Sequence, residues 1–237
     1  MRIIAGLMAL VLWAAMPGTP AQAGERPLVV VELFTSQGCS SCPPADEFLA
    51  RLARRDDVLA LSLHVDYWDY IGWPDTFARP EHTDRQKAYA RAAGMRSIYT
   101  PQMIIAGKEN VIGAKPMDVV DYIEMYRDAP ARVEMRATRS DGIVRLDVQS
   151  VSHAPLPDDL MVMLVTYMEG ASVRIRGGEN AGKTIDYANV VTSMREIGSW
   201  DGRGRFSVEV PVNSADAVAL FLQRQGPGEI LGAVRAR

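Results

Sequence analysis

The hydrophobic pattern changes character along the chain. From Leu28 to about Asp128, short apolar runs alternate with helical spacings. Leu28 to Phe34 is a nearly continuous apolar run, as expected of a strand buried on both faces. Pro44 to Arg54 follows with Phe48, Leu49 and Leu52 on one helical stripe. Val58 to Val65 predicts a second buried strand, and Asp84 to Ala93 a helix ended by Gly94. Met103 to Ala106 and Asn110 to Ile112 flank Gly107-Lys108-Glu109, a hairpin signal. Pro116 opens an amphipathic helix from Met117 to Tyr126. The predicted order is β-α-β-α-β-β-α, a small α/β unit.

From Ala131 onward only strand rhythm remains. Val133 to Thr138 and Ile143 to Val151 are joined by Ser140-Asp141-Gly142, a tight hairpin turn. Leu160 to Met168, Ser172 to Ile175, Thr184 to Ile197, Phe206 to Val212, Val218 to Leu222 and Ile230 to Val234 read as further strands. This spacing predicts an all-β antiparallel, sandwich-like domain. The expected division is residues 1–23 as a signal peptide, 24–129 as the α/β domain and 130–237 as the β-rich domain.

The N-terminal segment reads as an address. Arg2 is the only charge before Glu25, Ile3 to Met16 is apolar, and Ala21-Gln22-Ala23 forms an A-x-A cleavage site. The apolar run is short of the roughly 20 residues a spanning helix needs. Export to the periplasm or beyond, without a stable membrane anchor, is the expectation. It places the cysteines where disulfides persist.

Composition removes several function classes. The 237 residues carry 26 Lys and Arg against 29 Asp and Glu, a net charge of −3, with no basic block to track a phosphate backbone. Nucleic acid is therefore not an expected partner. Two cysteines make neither a disulfide-rich scaffold nor a four-cysteine zinc site, and His64, His82 and His153 are scattered. No cofactor is implied.

Chemistry concentrates in Cys39-Ser40-Ser41-Cys42, between the first strand and its helix. As a staple this pair would do little, because disulfide stabilisation grows with the loop it closes. A helix starting at Pro43 or Pro44 would aim its N-terminal dipole at Cys39 and favour the thiolate. Cys39 is the expected nucleophile, with Cys42, one turn in, resolving the mixed disulfide.

Phe34 to Asp46, FTSQGCSSCPPAD, resembles the signature of an uncharacterised secreted bacterial and plant family, a domain of unknown function with a thioredoxin-like fold. The resemblance continues through His64 to Ala78, Thr100 to Gly107 and Gly178 to Val191. It implies an α/β thioredoxin-like first domain. It also implies that Thr100-Pro101 is a cis-proline loop beside the disulfide, whose exposed backbone edge pairs with an extended substrate. Glu32, seven residues before Cys39, is implied either as a proton carrier for Cys42 or as a carboxylate bonded to a neighbouring loop. His64 to Pro74 is an insertion relative to that fold. Its Tyr67, Trp68 and Trp73 would either dock a substrate or form a satellite core.

Gly177 to Thr184 satisfies G-x-x-x-x-G-K-[ST], yet no helix pattern follows it, so it reads as a glycine-rich turn. The functional expectation is an exported thiol–disulfide oxidoreductase acting on protein or small-molecule thiols and disulfides. Alternatives are a Cu(I) or soft-metal carrier using both thiolates, and a redox-switched binding module.

Overall fold

The computed structural model describes residues 27–113 and 115–237; the expected export signal lies outside them. The first half contains β1 (Val29–Thr35), α1 (Pro43–Leu52), β2 (Val58–His64), α2 (Pro80–Ala92), β3 (Gln102–Ile105), β4 (Glu109–Ile112) and α3 (Pro116–Asp128). The second half contains β5 (Val133–Ser140), β6 (Ile143–Ser150), β7 (Leu160–Arg174), β8 (Thr184–Trp200), β9 (Arg205–Pro211), β10 (Ala217–Arg224) and β11 (Ile230–Ala236). Helix α2 begins four residues before the expected Asp84, because Pro80 suits the first helical position, where no N–H is needed. The expected strands on either side of Gly170 are one strand, β7.

The expectation of an α/β thioredoxin-like domain followed by a separate all-β sandwich is corrected. Of the described residues 44% are in strands and 19% in helices, and one large mixed sheet dominates. Its order is β11-β10-β7-β8-β2-β1-β3-β4, so it draws strands from both halves of the chain. β1 lies parallel to β2, and β2 parallel to β8 through Ser62 and Val190, with every other pairing antiparallel. β5, β6 and β9 make a second, three-stranded sheet.

The physical reason lies in the two faces of β1. Val29, Val31 and Leu33 point to one side, where α1 and α3 cover them with Phe48, Leu49, Leu52, Val119 and Ile123. Val30 and Phe34 point to the other side with Leu59, Leu61 and Leu63 of β2. That second face needs its own apolar cover, and β7, β10 and β11 curl over it with Val165, Tyr167, Phe221, Ile230 and Ala233. The outer side of the curled segment, Val162, Leu164, Leu220 and Leu222, is in turn covered by Val133, Val144, Leu146 and Val148 of the small sheet. The curl brings β11 back to the start of the sheet: Leu28 N–H donates to Ala233 O at 3.1 Å, and Ile230 N–H to Ala106 O at 2.8 Å. Gly107 sits at this seam with φ 71°, and a Cβ there would lie 2.3 Å from Gly228 O.

A buried ion pair ties the halves together under the curl. Glu32 accepts from Arg85 Nε at 2.6 Å and Nη2 at 3.1 Å, and Tyr89 Oη also donates to it. Arg85 donates onward to Gln223 Oε1 on β10 at 3.0 Å, and its guanidinium lies over the rings of Tyr89 and Phe221. Burial works against the Arg85 charge, yet Glu32 and Tyr89 hold it above its ordinary pKa.

Candidate functional site

The loop after β1 turns back on itself before α1. Ser36 Oγ accepts from Gly38 N–H, Cys39 N–H donates to Ser36 O at 3.1 Å, and Cys42 N–H to Cys39 O at 3.2 Å. Cys42 caps α1, with Pro43 and Pro44 in the first helical positions, where their missing N–H groups cost nothing. Cys39 and Cys42 are disulfide-bonded with Cα atoms 5.4 Å apart. The disulfide therefore sits at the start of α1. Both cysteines are covered, Cys39 to 1% and Cys42 to 0% exposure, while Ser40 and Ser41 between them face solvent.

The aromatic insertion packs on the cysteine loop at Gly38 and Gln37. It runs from His64 through one 3₁₀ turn, Asp69–Ile71, and Gly72 at φ 94°. Trp68 lies over the cysteine loop: a Cβ added at Gly38 would meet Trp68 Cβ at 3.1 Å and Ile71 Cδ1 at 3.2 Å. Trp68 Nε1 donates to Thr100 Oγ1 at 2.8 Å, and Trp73 Nε1 to Gln37 Oε1 at 2.8 Å. Tyr67 donates to Gln86 Oε1 of α2, also interacts with Thr100, and packs with Trp68 on the core under the curl. Thr100-Pro101 is cis, and the Pro101 ring packs where a Cβ on Gly113 would stand, 2.9 Å away.

The structure gathers Cys39, Cys42, Thr100, Pro101, Trp68 and Trp73 at one end of the sheet. Glu32 is not among them. Its side chain leaves β1 on the face opposite α1, where Arg85 and Tyr89 hold it.

Four residues that the sequence reading gave no role organise the site. Gln37 uses every polar group it has: its N–H donates to Asp75 Oδ2, Nε2 to Thr76 Oγ1, Oε1 accepts from Trp73, and its carbonyl accepts from Asn180. Asn180, in the glycine-rich turn between β7 and β8, donates Nδ2 to both Gln37 O and Cys39 O at 2.9 Å. Gly177 in the same turn lets the backbones close, since a Cβ there would lie 2.6 Å from Gly72 O. The turn that mimics a phosphate loop is thus a clamp on the disulfide loop. The signal was present in the sequence as an asparagine among glycines, without a strand-to-helix context to explain it otherwise.

Asp46 and His64 are the other two, on the α1 side of the sheet. Thr35 Oγ1 donates to Asp46 Oδ1 at 2.8 Å, and His64 Nδ1 meets Asp75 Oδ2 at 2.7 Å. Burial pushes the Asp46 carboxyl up to about 7, against the lowering influence of His64 and Thr35. Among the described residues no three His, Cys, Asp or Glu are grouped as metal ligands would be, and no helix is long and apolar enough to cross a membrane.

A family profile for proteins of unknown function matches residues 30–223. The chain belongs to the DUF1223 family. A crystal structure of a protein from Agrobacterium tumefaciens is 33% identical, covering 90% of this chain and 96% of its own, with a TM-score of 0.77. HBP35 of Porphyromonas gingivalis is 16% identical over 89% of this chain and 74% of its own, with a TM-score of 0.63, a likeness of fold alone. No curated protein matches. The DUF1223 match runs from β1 into β10, so it spans both the cysteine loop and the Asn180 clamp.

Proposed function

We propose that this DUF1223 protein is an exported thiol–disulfide exchange protein whose working pair is Cys39 and Cys42. The observation that carries the reading is a disulfide closing a minimal loop at the start of α1, with neither cysteine needed as a long-range staple. Cys39 is the sulfur that exchanges with an outside thiol, and Cys42 is the one that leaves and later resolves. The exchanging partner is a protein or small-molecule thiol or disulfide. Since Cys39 is covered, exchange includes displacement of Trp68, whose indole Nε1 is held by one hydrogen bond to Thr100 Oγ1. Export rests on Arg2, the apolar run Ile3 to Met16 and Ala21-Gln22-Ala23.

The test is a glutathione titration of the purified protein, with reduction of a model protein disulfide followed in parallel. A reversible two-electron couple is expected, with Cys39→Ser inactive and Cys42→Ser accumulating mixed disulfides through Cys39. Reduced protein that exchanges with neither glutathione nor the model substrate overturns the reading. Preferential alkylation of Cys42 would reverse the two roles.

A further inference from the structure

The two edges of the small sheet differ. β5 lies beside β11, and Arg139 N–H donates to Arg237 O at 2.8 Å. β9 pairs with β6 alone, from Arg205 opposite Gln149 to Pro211 opposite Ile143. Among the described residues no backbone hydrogen bond reaches the outer side of β9. Val212 N–H donates to Gly142 O at 2.7 Å, in step with the β6–β9 register. Phe206, Val208 and Val210 therefore turn their N–H and C=O groups to β6, and Arg205, Ser207 and Glu209 turn theirs outward. Pro211, without an N–H, ends this outward row.

The apolar cover thins at the same edge. Val144, Leu146 and Val148 of β6 are fully buried in the cluster beneath the small sheet. Phe206, Val208 and Val210 of β9 pack on that cluster but are only partly buried. A further strand laid against β9 would cover them. Natural sheets blunt an open edge with charges or proline. Here the exposed charges, Arg205 and Glu209, are of opposite sign and stand symmetrically about Ser207. A strand of that pattern is complementary to an antiparallel copy of itself.

We propose that β9 is an interface between two copies of this chain, pairing antiparallel with β9 of the second copy about a two-fold axis at Ser207. The two three-stranded sheets become one continuous sheet. Register decides the match. Hydrogen-bonded pairs form only between residues whose backbone groups point outward, so Arg205, Ser207 and Glu209 must face one another. With Ser207 opposite Ser207, Arg205 stands opposite Glu209 at both ends, and each pair exchanges both N–H···O bonds. Phe206 then lies opposite Val208 on the apolar side. The carboxylate of Glu209 already accepts from Arg145 on β6, so it is held on the face where the second copy's Arg205 arrives.

The neighbouring registers are worse. A slip one way sets Arg205 against Pro211, which has no N–H to give, and a further slip sets Glu209 against Glu209. A slip the other way leaves Arg205 against Ser207 and moves Glu209 off the strand to Arg203, whose carbonyl is held by Trp200 Nε1. The next sets Arg205 against Arg205. β9 shares no residue with the cysteine loop, the aromatic insertion or the Asn180 clamp, so the inference stands apart from the exchange reading.

Sedimentation equilibrium of the purified protein tests it. A single strand pair is a small interface, so the weight-average mass should climb from monomer toward dimer only as concentration rises to about 1 mM. Arg205→Glu and Glu209→Arg each set like charges opposite one another twice per dimer and should weaken association by about tenfold or more. The double variant Arg205→Glu/Glu209→Arg has the net charge of wild type and restores both pairs, so it should recover dimerisation. Ser207→Pro removes an outward N–H while leaving the β6 ladder intact, and it should be monomeric with a near wild-type urea midpoint. Wild-type protein that stays monomeric throughout overturns the proposal. So do single variants that dimerise like wild type, and a double variant that associates no better than the single ones.

Discussion

Asn180 donates its side-chain amide to the carbonyl of Cys39 at 2.9 Å, across 141 positions of the chain. The same nitrogen holds Gln37 O, and Lys183 Nζ donates to Asn180 Oδ1 at 2.8 Å, so the amide is fixed in orientation. The disulfide loop therefore takes its shape from a turn in the other half of the sequence.

Asn180→Ala removes the only donor identified among the described residues for the Gln37 carbonyl, and one of two for the Cys39 carbonyl, which keeps Cys42 N–H. Leaving Gln37 O unpaired should cost about 1–3 kcal/mol of stability, seen as a lower urea midpoint with an unchanged slope. The reduced variant should also be alkylated faster at Cys39 than wild type, because the loop loses its clamp. A midpoint within error of wild type would show that the clamp does not hold the loop.

Much of this organisation was legible in the chain, and the failures have definite causes. The runs at Leu28 to Phe34 and Val58 to Val65 announced strands buried on both faces, and the structure buries every residue of β1 and β2. What local pattern could not say is which element covers the second face. The cover is β7, β10 and β11, joined through a β2–β8 pairing between strands more than a hundred residues apart, so it left no periodic trace near β1. The same gap explains Glu32. Its place in an apolar run is visible in the sequence, but its partner Arg85 is on a helix with a weak apolar stripe, 53 residues away. Asp46 carries no such signal either, since a carboxylate early in a helix ordinarily faces solvent and favours the dipole, whereas here it is buried against Thr35.

Trp68 should act as a shield for Cys39. Trp68→Ala should raise the rate of reduction by a small thiol about tenfold, because the indole and its hydrogen bond to Thr100 Oγ1 are gone even though the Cβ against Gly38 stays. Trp68→Phe keeps a ring there but cannot donate to Thr100, so it should fall between the two. Equal rates in all three proteins would mean that the cover comes from elsewhere in the insertion.

Two buried groups should oppose one another in the pH dependence of stability. Burial raises Asp46 from 3.8 to about 7 and lowers His82 from 6.5 to about 4. Between about pH 4 and 6.5 the folded chain binds one proton more on Asp46 and one fewer on His82 than the unfolded chain, so their slopes cancel. Asp46→Asn should expose the His82 contribution, with stability lost as pH falls through that window at about 1.4 kcal/mol per unit. His82→Asn, which can still donate to His64 O, should expose the opposite slope, with stability lost as pH rises from about 4 to 7. Denaturant titrations across this range check both signs.

Glu32 should behave as a structural carboxylate. Glu32→Gln leaves the buried Arg85 guanidinium without its counter-charge, between the rings of Tyr89 and Phe221 and beside Gln223. An uncompensated buried charge of this kind costs about 3–5 kcal/mol, so the variant should unfold at a much lower denaturant concentration. Because Glu32 leaves β1 on the face opposite Cys42 and α1, the ratio of its disulfide reduction rate to wild type should not change with pH while the protein stays folded. A pH-dependent ratio in Glu32→Gln would show instead that Glu32 takes part in the exchange chemistry, as a proton carrier for Cys42.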